Sequence, residues 1–135
     1  MPEVTIIRDG SEMVQKMRPE RVDGRFVFQA ISADDIARRM PEIRGLFVEA
    51  EGLSAIVSAA DGDADIMAQI TLQVHSALDG VGLTAAVSGA LAEAGIACNM
   101  VAALHHDHAF VPEADADRAL DILRALSRAT DQKGT

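Results

Sequence analysis

Residues 69–112, QITLQVHSALDGVGLTAAVSGALAEAGIACNMVAALHHDHAFVP, are the stretch whose reading decides the fold. Alternating apolar Ile70, Leu72 and Val74 mark a strand over 68–75 with one buried face. The alternation breaks at Asp79-Gly80-Val81-Gly82, and helical spacing then runs over 83–94 and stops at Gly95. Strands over 96–105 and 107–111 follow, and Pro112 ends the second of them. The same stretch holds the single cysteine, Cys98, and all four histidines.

Downstream, residues 113–128 carry apolar side chains at Ala116, Ala119, Leu120, Leu123 and Leu126, the spacing of an amphipathic helix. Glu113, Asp115 and Asp117 stand early in it and Arg124 and Arg128 late, as the helix dipole favours. Residues 131–135 read as a polar, frayed tail. Upstream, residues 26–31 (FVFQAI) read as a strand buried on both faces, and Ser32 caps a short helix over 33–40 that stops before Pro41. Strands at 46–50 and 53–58 flank a turn at Glu51-Gly52, and residues 59–67 suit one or two helical turns. At the start, 4–7 (VTII) is a short β-branched strand, and 9–17 a short helix with Ser11 as its cap.

The upstream elements form a shorter copy of the central stretch. FVFQAIS at 26–32 matches ITLQVHS at 70–76, and AIVSAAD at 55–61 matches AFVPEAD at 109–115. The second match is offset ten residues further than the first, so the helix between them is longer in the second half. Strand, helix, strand, strand, helix occurs twice, which implies an α+β chain of two lobes with antiparallel sheets and helices on one face. The expected divisions are an N-terminal segment 1–24, a first lobe 25–67, a second lobe 68–130 and the tail 131–135.

The chain has 135 residues and a net charge of −9, with no Trp or Tyr and four Phe. Nucleic-acid binding needs clustered cations or aromatic platforms, and this composition disfavours both, so no nucleic-acid partner is expected. The acidity disfavours anionic membrane surfaces, and no window has the roughly 18 apolar residues of a spanning helix. With no basic, apolar leader and one cysteine, a cytoplasmic location is expected.

The second half resembles the ACT domain, a βαββαβ regulatory module of ferredoxin-like fold that binds amino acids. Asp79-Gly80-Val81-Gly82-Leu83 keeps the Asp, Gly and Leu of the family's Asp-x-Pro-Gly-x-Leu loop and puts Val81 in place of its Pro. Glu51-Gly52-Leu53, His75-Ser76-Ala77-Leu78, residues 81–86 (VGLTAA), 94–99 (AGIACN) and 105–112 (HHDHAFVP) are similar to free-standing bacterial tandem ACT proteins. The resemblance implies a ligand pocket between neighbouring lobes, no cofactor, and homodimers. It departs from the family at Ala97, where many amino-acid-binding members carry Asn; here Asn99 follows two positions later on the same strand face. Neither half shows a final strand, and VTII is the candidate for a missing edge.

The ligand-binding candidates are therefore Asp79, Gly80, Val81, Gly82, Leu83 and Asn99. Glycines permit close backbone approach, and a helix N-terminus presents free N–H groups to a carboxylate; Asp79 could take a ligand ammonium. His75, His106 and His108 are candidate polar groups of a pocket or interface. A metal site is disfavoured, because alternation splits His106 and His108 from His105 and Asp107. A parallel pairing of strands 68–75 and 107–111 would also set His75 near Val111, away from His106. No catalytic residue is assigned: Ser76 and Ser88 lack a nucleophile elbow, and Cys98 lies in an apolar run. The expected function is non-catalytic binding of a small molecule, most simply an amino acid. The rivals are a protein-interaction module with a vestigial pocket and a metal-assisted enzyme at the histidine hairpin.

Overall fold

The computed structural model describes residues 6–75 and 77–133. The chain divides into two compact units. One runs from Gly24 to Met67; the other joins the chain ending at Asp23 to the chain beginning at Ala68.

In the unit 24–67, β2 (Phe26–Ala30) leads into α2 (Ala33–Arg39), a 3-10 turn (Met40–Glu42), β3 (Ile43–Glu49) and β4 (Gly52–Ser58). The strands form an antiparallel sheet in the order β3-β4-β2, with Val27 opposite Val57 and Glu49 opposite Gly52. Gly52 closes the hairpin at φ +140°, a dihedral that glycine adopts without strain. Ser32 caps α2 as expected, its Oγ accepting from the Asp35 N–H at 3.1 Å. The core is small: Val27, Ala55 and Val57, with Ile31, Ile43, Ala59 and Ile66 packed against it.

Two expectations fail in this unit. β2 is not buried on both faces: Phe26 is buried, with the Arg44 guanidinium 5.1 Å from its ring centre, but Phe28 on the same face is half exposed. Residues 59–67 make turns and no helix. Gly62 (φ +88°) and Asp65 (φ +55°) are left-handed, and the Asp63 carboxylate accepts from the Ala60 N–H at 2.7 Å, a side-chain bond that competes with helix.

The other unit holds β5 (Met67–Leu72), α3 (Leu83–Glu93), β6 (Asn99–Ala102), β7 (Asp107–Pro112), a 3-10 turn (Glu113–Asp115) and α4 (Ala116–Lys133). To these the N-terminal segment adds α1 (Gly10–Gln15) and β1 (Pro19–Arg21). β1 pairs antiparallel with β5, Glu20 opposite Thr71, and the sheet continues β5-β7-β6. The edge beside β5 is thus taken by Pro19–Arg21 of the N-terminal segment, and not by the VTII stretch. Of the VTII stretch, Ile7 makes a two-bond bridge, donating to the His75 carbonyl at 2.8 Å and accepting from the Ala77 N–H at 2.9 Å; positions 4 and 5 lie outside the described residues.

Ala68, Ile70 and Leu72 of β5, Ala109 and Val111 of β7, Leu83, Val87 and Leu91 of α3, and Ala116, Ala119 and Leu123 of α4 make one buried cluster. Met13 and Val14 of α1, with Met17 just after it, complete that cluster. The cap of α1 is Asp9, whose carboxylate accepts from the Glu12 N–H at 2.9 Å, and not Ser11. The last helix is longer than its apolar spacing suggests and runs through the expected tail to Lys133. One strand direction is also corrected. Thr71 meets His108, and beyond the end of β5 the His75 ring meets that of His106, so β7 runs antiparallel to β5. A strand–helix–strand crossover leaves a gap between β5 and β6, and the hairpin return fills it in the opposite sense.

Candidate functional site

Beyond Leu72 the chain leaves the sheet and reaches α3 through the expected glycine loop. Gly82 occupies the cap position of α3 at φ +114°, with no side-chain cap bond among the described residues. The N-terminal segment lies along this loop. A Cβ on Gly10 would stand 2.2 Å from the Val81 carbonyl oxygen, and one on Gly80 would stand 2.9 Å from Met13 Cε. The contact at Gly10 requires glycine because its partner is backbone, whereas at Gly80 the end of the Met13 side chain would have to shift.

Beside the loop is a cavity of about 120 Å³. The loop contributes Ala77, Leu78, Gly80 and Gly82, and α3 contributes Leu83 and Thr84. The remaining walls are Met13 from α1 and Ala102 and Asp107 from the β6–β7 hairpin. All of these belong to one unit. Among the described residues, the lining includes an acidic side chain, Asp107, and no basic one.

Three of the six residues expected to bind ligand, Gly80, Gly82 and Leu83, line this cavity. Asp79 does not: its Oδ1 accepts from Arg8 Nε at 3.2 Å, with both side chains largely exposed. Val81 projects into solvent while its carbonyl packs against Gly10. Asn99 is exposed on β6, paired with Phe110; neighbouring Cys98 and Met100 pack on the core, so alternation turns Asn99 to the other face.

The histidines separate into two groups. His108 Nδ1 lies 2.9 Å from Thr71 Oγ1 and 3.2 Å from Gln69 Nε2, a polar cluster on the sheet face opposite the helices. His75, His105 and His106 gather at the end of the hairpin, with ring centres 4.6 Å apart for His75 and His106 and 5.9 Å for His75 and His105. The expectation that His75 lies away from His106 is overturned by the antiparallel course of β7. His75 Nδ1 is buried without a hydrogen-bond partner among the described residues. Burial, reinforced by the neighbouring His75 and His105, holds His106 below the ordinary histidine range. Among the described residues no three His, Cys, Asp or Glu side chains are placed to share a metal ion. Half-burial pushes the Cys98 thiol up, so it is a poor nucleophile.

Sequence reasoning missed Met13, Ala77, Leu78, Thr84, Ala102 and Asp107. Thr84 is one step from the assigned loop. Asp107 is hidden among the histidines, although strand alternation already sets it on the face opposite His108, the face that meets the core. Nothing local marks Met13, which reaches the loop from more than sixty positions away.

The comparisons with known proteins agree with this architecture. Two ACT-domain family models match, one over residues 7–71 and one over 67–125. A crystal structure of a Vibrio cholerae protein of unknown function is 36% identical, covers 83% of this chain and 91% of its own, and superposes with a TM-score of 0.73. The aspartate kinase of Clostridium acetobutylicum shares the fold at 10% identity and a TM-score of 0.59, over 80% of this chain and 33% of the kinase. Escherichia coli aspartokinase III, solved with aspartate and ADP, does so at 13% and 0.56, over 80% and 32%. Among curated proteins there is no match. No helix among the described residues is long and apolar enough to cross a membrane. ACT domains are regulatory and typically bind amino acids. With two family models covering its two halves and a 36% identical relative matched over nearly its whole length, the chain belongs to the ACT-domain family, as a tandem of two ferredoxin-like lobes.

Proposed function

We propose that this protein is a non-catalytic, cytoplasmic regulator or sensor that binds an amino acid beside the Asp79–Leu83 loop. The observation that carries the reading is the cavity of about 120 Å³ on that loop, at the N-terminus of a helix that no side chain caps among the described residues. Orphan N–H groups there receive a carboxylate, with a dipole contribution of roughly 0.3–1 kcal/mol. The ligand then acts by population shift: the state in which the N-terminal segment is seated on the loop gains over the state in which it is not. Gly10 and Met13 supply the contact that distinguishes the two states.

The protein works as a homodimer in this reading, as ACT domains often do. Phe47 (71% exposed) and Val48 (78%) on β3 supply apolar surface for a second copy. A thermal-shift screen of the twenty amino acids tests the proposal. At one hundred times its dissociation constant a ligand adds about 2.7 kcal/mol of stability. A clear rise in melting temperature with at least one amino acid is expected, and no rise with any at millimolar concentration would overturn the reading.

A further inference from the structure

We infer that His75, His105 and His106 form a proton-operated latch between the glycine loop and the β6–β7 hairpin, closed while the three imidazoles are neutral and opened by acid. The latch is a property of the rings themselves. Its bearing on ligand binding rests on the reading of the cavity beside Gly80 as the ligand site.

The geometry starts from what each ring is attached to. His75 stands two residues before Ala77, where the chain begins to line the cavity. His105 and His106 belong to the hairpin turn between Ala102 and Asp107, which line the same cavity. The His75 ring centre lies 4.6 Å from that of His106 and 5.9 Å from that of His105, and the two hairpin rings are 6.4 Å apart. One imidazole from the loop side thus meets two from the hairpin side. Backbone bonds fasten both sides of this seam. Ile7 of the N-terminal segment donates to the His75 carbonyl and accepts from the Ala77 N–H, and the Ala103 N–H donates to the His106 carbonyl at 3.0 Å.

Charge is costly in this arrangement. Two imidazolium groups about 5 Å apart repel each other, and partial burial weakens the screening that water would give. His75 Nδ1 is buried and has no hydrogen-bond partner among the described residues, so a proton placed there meets neither water nor an acceptor. Burial, with His75 and His105 adding to it, holds His106 below the ordinary histidine range; the Gln73 backbone and the Asp107 carboxylate oppose that shift without reversing it. The other charges near the seam are matched. Arg18 donates to the Gln73 side-chain oxygen at 3.3 Å while Gln73 Nε2 donates to Glu20, and Arg8 donates to Asp79 at 3.2 Å. Separated rings regain an ordinary affinity for protons, so below a pH of about 6.5 each proton taken up favours the open state over the closed one.

Amide hydrogen exchange of the full chain, read as protection factors at pH 7.5 and pH 5.5 with no ligand added, tests the latch. The Ile7, Ala77 and Ala103 amides are expected to lose about tenfold or more in protection at the lower pH. The Ile96 amide, bonded to the Leu91 carbonyl in the core, keeps its own. The loss disappears in the double variant His75→Asn, His106→Asn and persists in His108→Asn, which lies outside the cluster. Equal protection of the three amides at both pH values, a loss that Ile96 shares, or a loss that the double variant retains would overturn the latch. The wild-type comparison needs no variant to fold. Thermal shift with the amino acids other than histidine, at the same two pH values, then tests the link to the cavity: one that binds at pH 7.5 is expected to bind about tenfold or more weakly at pH 5.5. Equal affinity at both would overturn that link. Binding by none at either pH, with the exchange loss intact, would overturn the ligand reading and leave the latch standing.

Discussion

The two ACT lobes share one pattern of elements and differ in how each starts its first helix. α2 is seven residues long, has no buried side chain and is capped by its own Ser32. α3 is eleven residues long, buries Leu83, Val87 and Leu91, and begins at Gly82 with no side-chain cap. The ten residues by which the repeat offsets differ lengthen the strand-to-helix connection as well as the helix. β2 reaches α2 through Ile31 and Ser32, whereas β5 is followed by ten residues before α3. A short connection is satisfied internally; a long one leaves donors, glycines and a cavity. The lobes also differ in support: β1, α1 and Met17 complete the second, while β3 of the first carries exposed Leu46, Phe47 and Val48. Of two copies of one design, then, the one with the open helix start and the N-terminal segment is the one beside which the cavity lies.

The largest expected effect comes from removing that N-terminal segment. A chain starting at Gly24 loses Met13, Val14 and Met17, three side chains at most 4% exposed, along with the β1 edge. Large-to-small changes at such positions cost about 2–5 kcal/mol each, which together match the stability of a whole domain. Hydrogen exchange is expected to show the second lobe unprotected; a protected β5–β7 core would break the comparison.

Next is the contrast in helix starts. Gly82→Ala places a Cβ at φ +114°, where strain of roughly 1–3 kcal/mol is expected although its contact with Gly10 Cα, at 3.5 Å, is an ordinary van der Waals one. Ser32→Ala removes a cap from the other lobe at about 1 kcal/mol. Denaturant melts that rank the two in the reverse order would show that the dihedral at Gly82 is not what holds the loop.

A smaller effect concerns pH. Because His106 is held below its ordinary value in the folded state, the unfolded chain binds more protons once the pH drops below about 6.5. Stability from this group is present above that pH and is lost as pH falls toward the lowered folded-state value. The melting temperature of wild type is expected to drop further between pH 7.5 and 5.5 than that of His106→Asn. Parallel curves would mean that the imidazole cluster carries no such linkage.

The smallest effect belongs to the first lobe. Phe47→Ser, at an exposed position, should change monomer stability by no more than about 0.5 kcal/mol. Sedimentation of the same variant should show weaker self-association; unchanged sedimentation would free β3 of a role in assembly.

Much of the second lobe and part of its cavity are legible in the residues alone. The apolar alternation of Ile70 and Leu72 announces the buried face of β5, and in the first lobe Ser32, with Asp35 three residues on, announces the cap of α2. The glycines of 79–83 announce the loop. Other features hide because the local signal points elsewhere. Ser11 is as good a cap residue as Asp9, and the helix starts at Gly10, the residue that can lie against the Val81 carbonyl. Residues 59–67 have helical composition, yet the left-handed Gly62 and Asp65 and the Asp63 side-chain bond commit them to turns.

By itself the sequence determined what is local: the order of elements, which face of each is apolar, and where glycine releases the backbone. These follow from period, cap chemistry and dihedral preference within a few residues. Tertiary structure alone decided which remote segments meet. It set Pro19–Arg21 at the edge of β5, brought His75 to His106 by running β7 antiparallel, and seated Met13 on Gly80. Those outcomes depend on strand direction and register between segments tens of residues apart, where alternation says which face a side chain takes and nothing about which neighbour it finds.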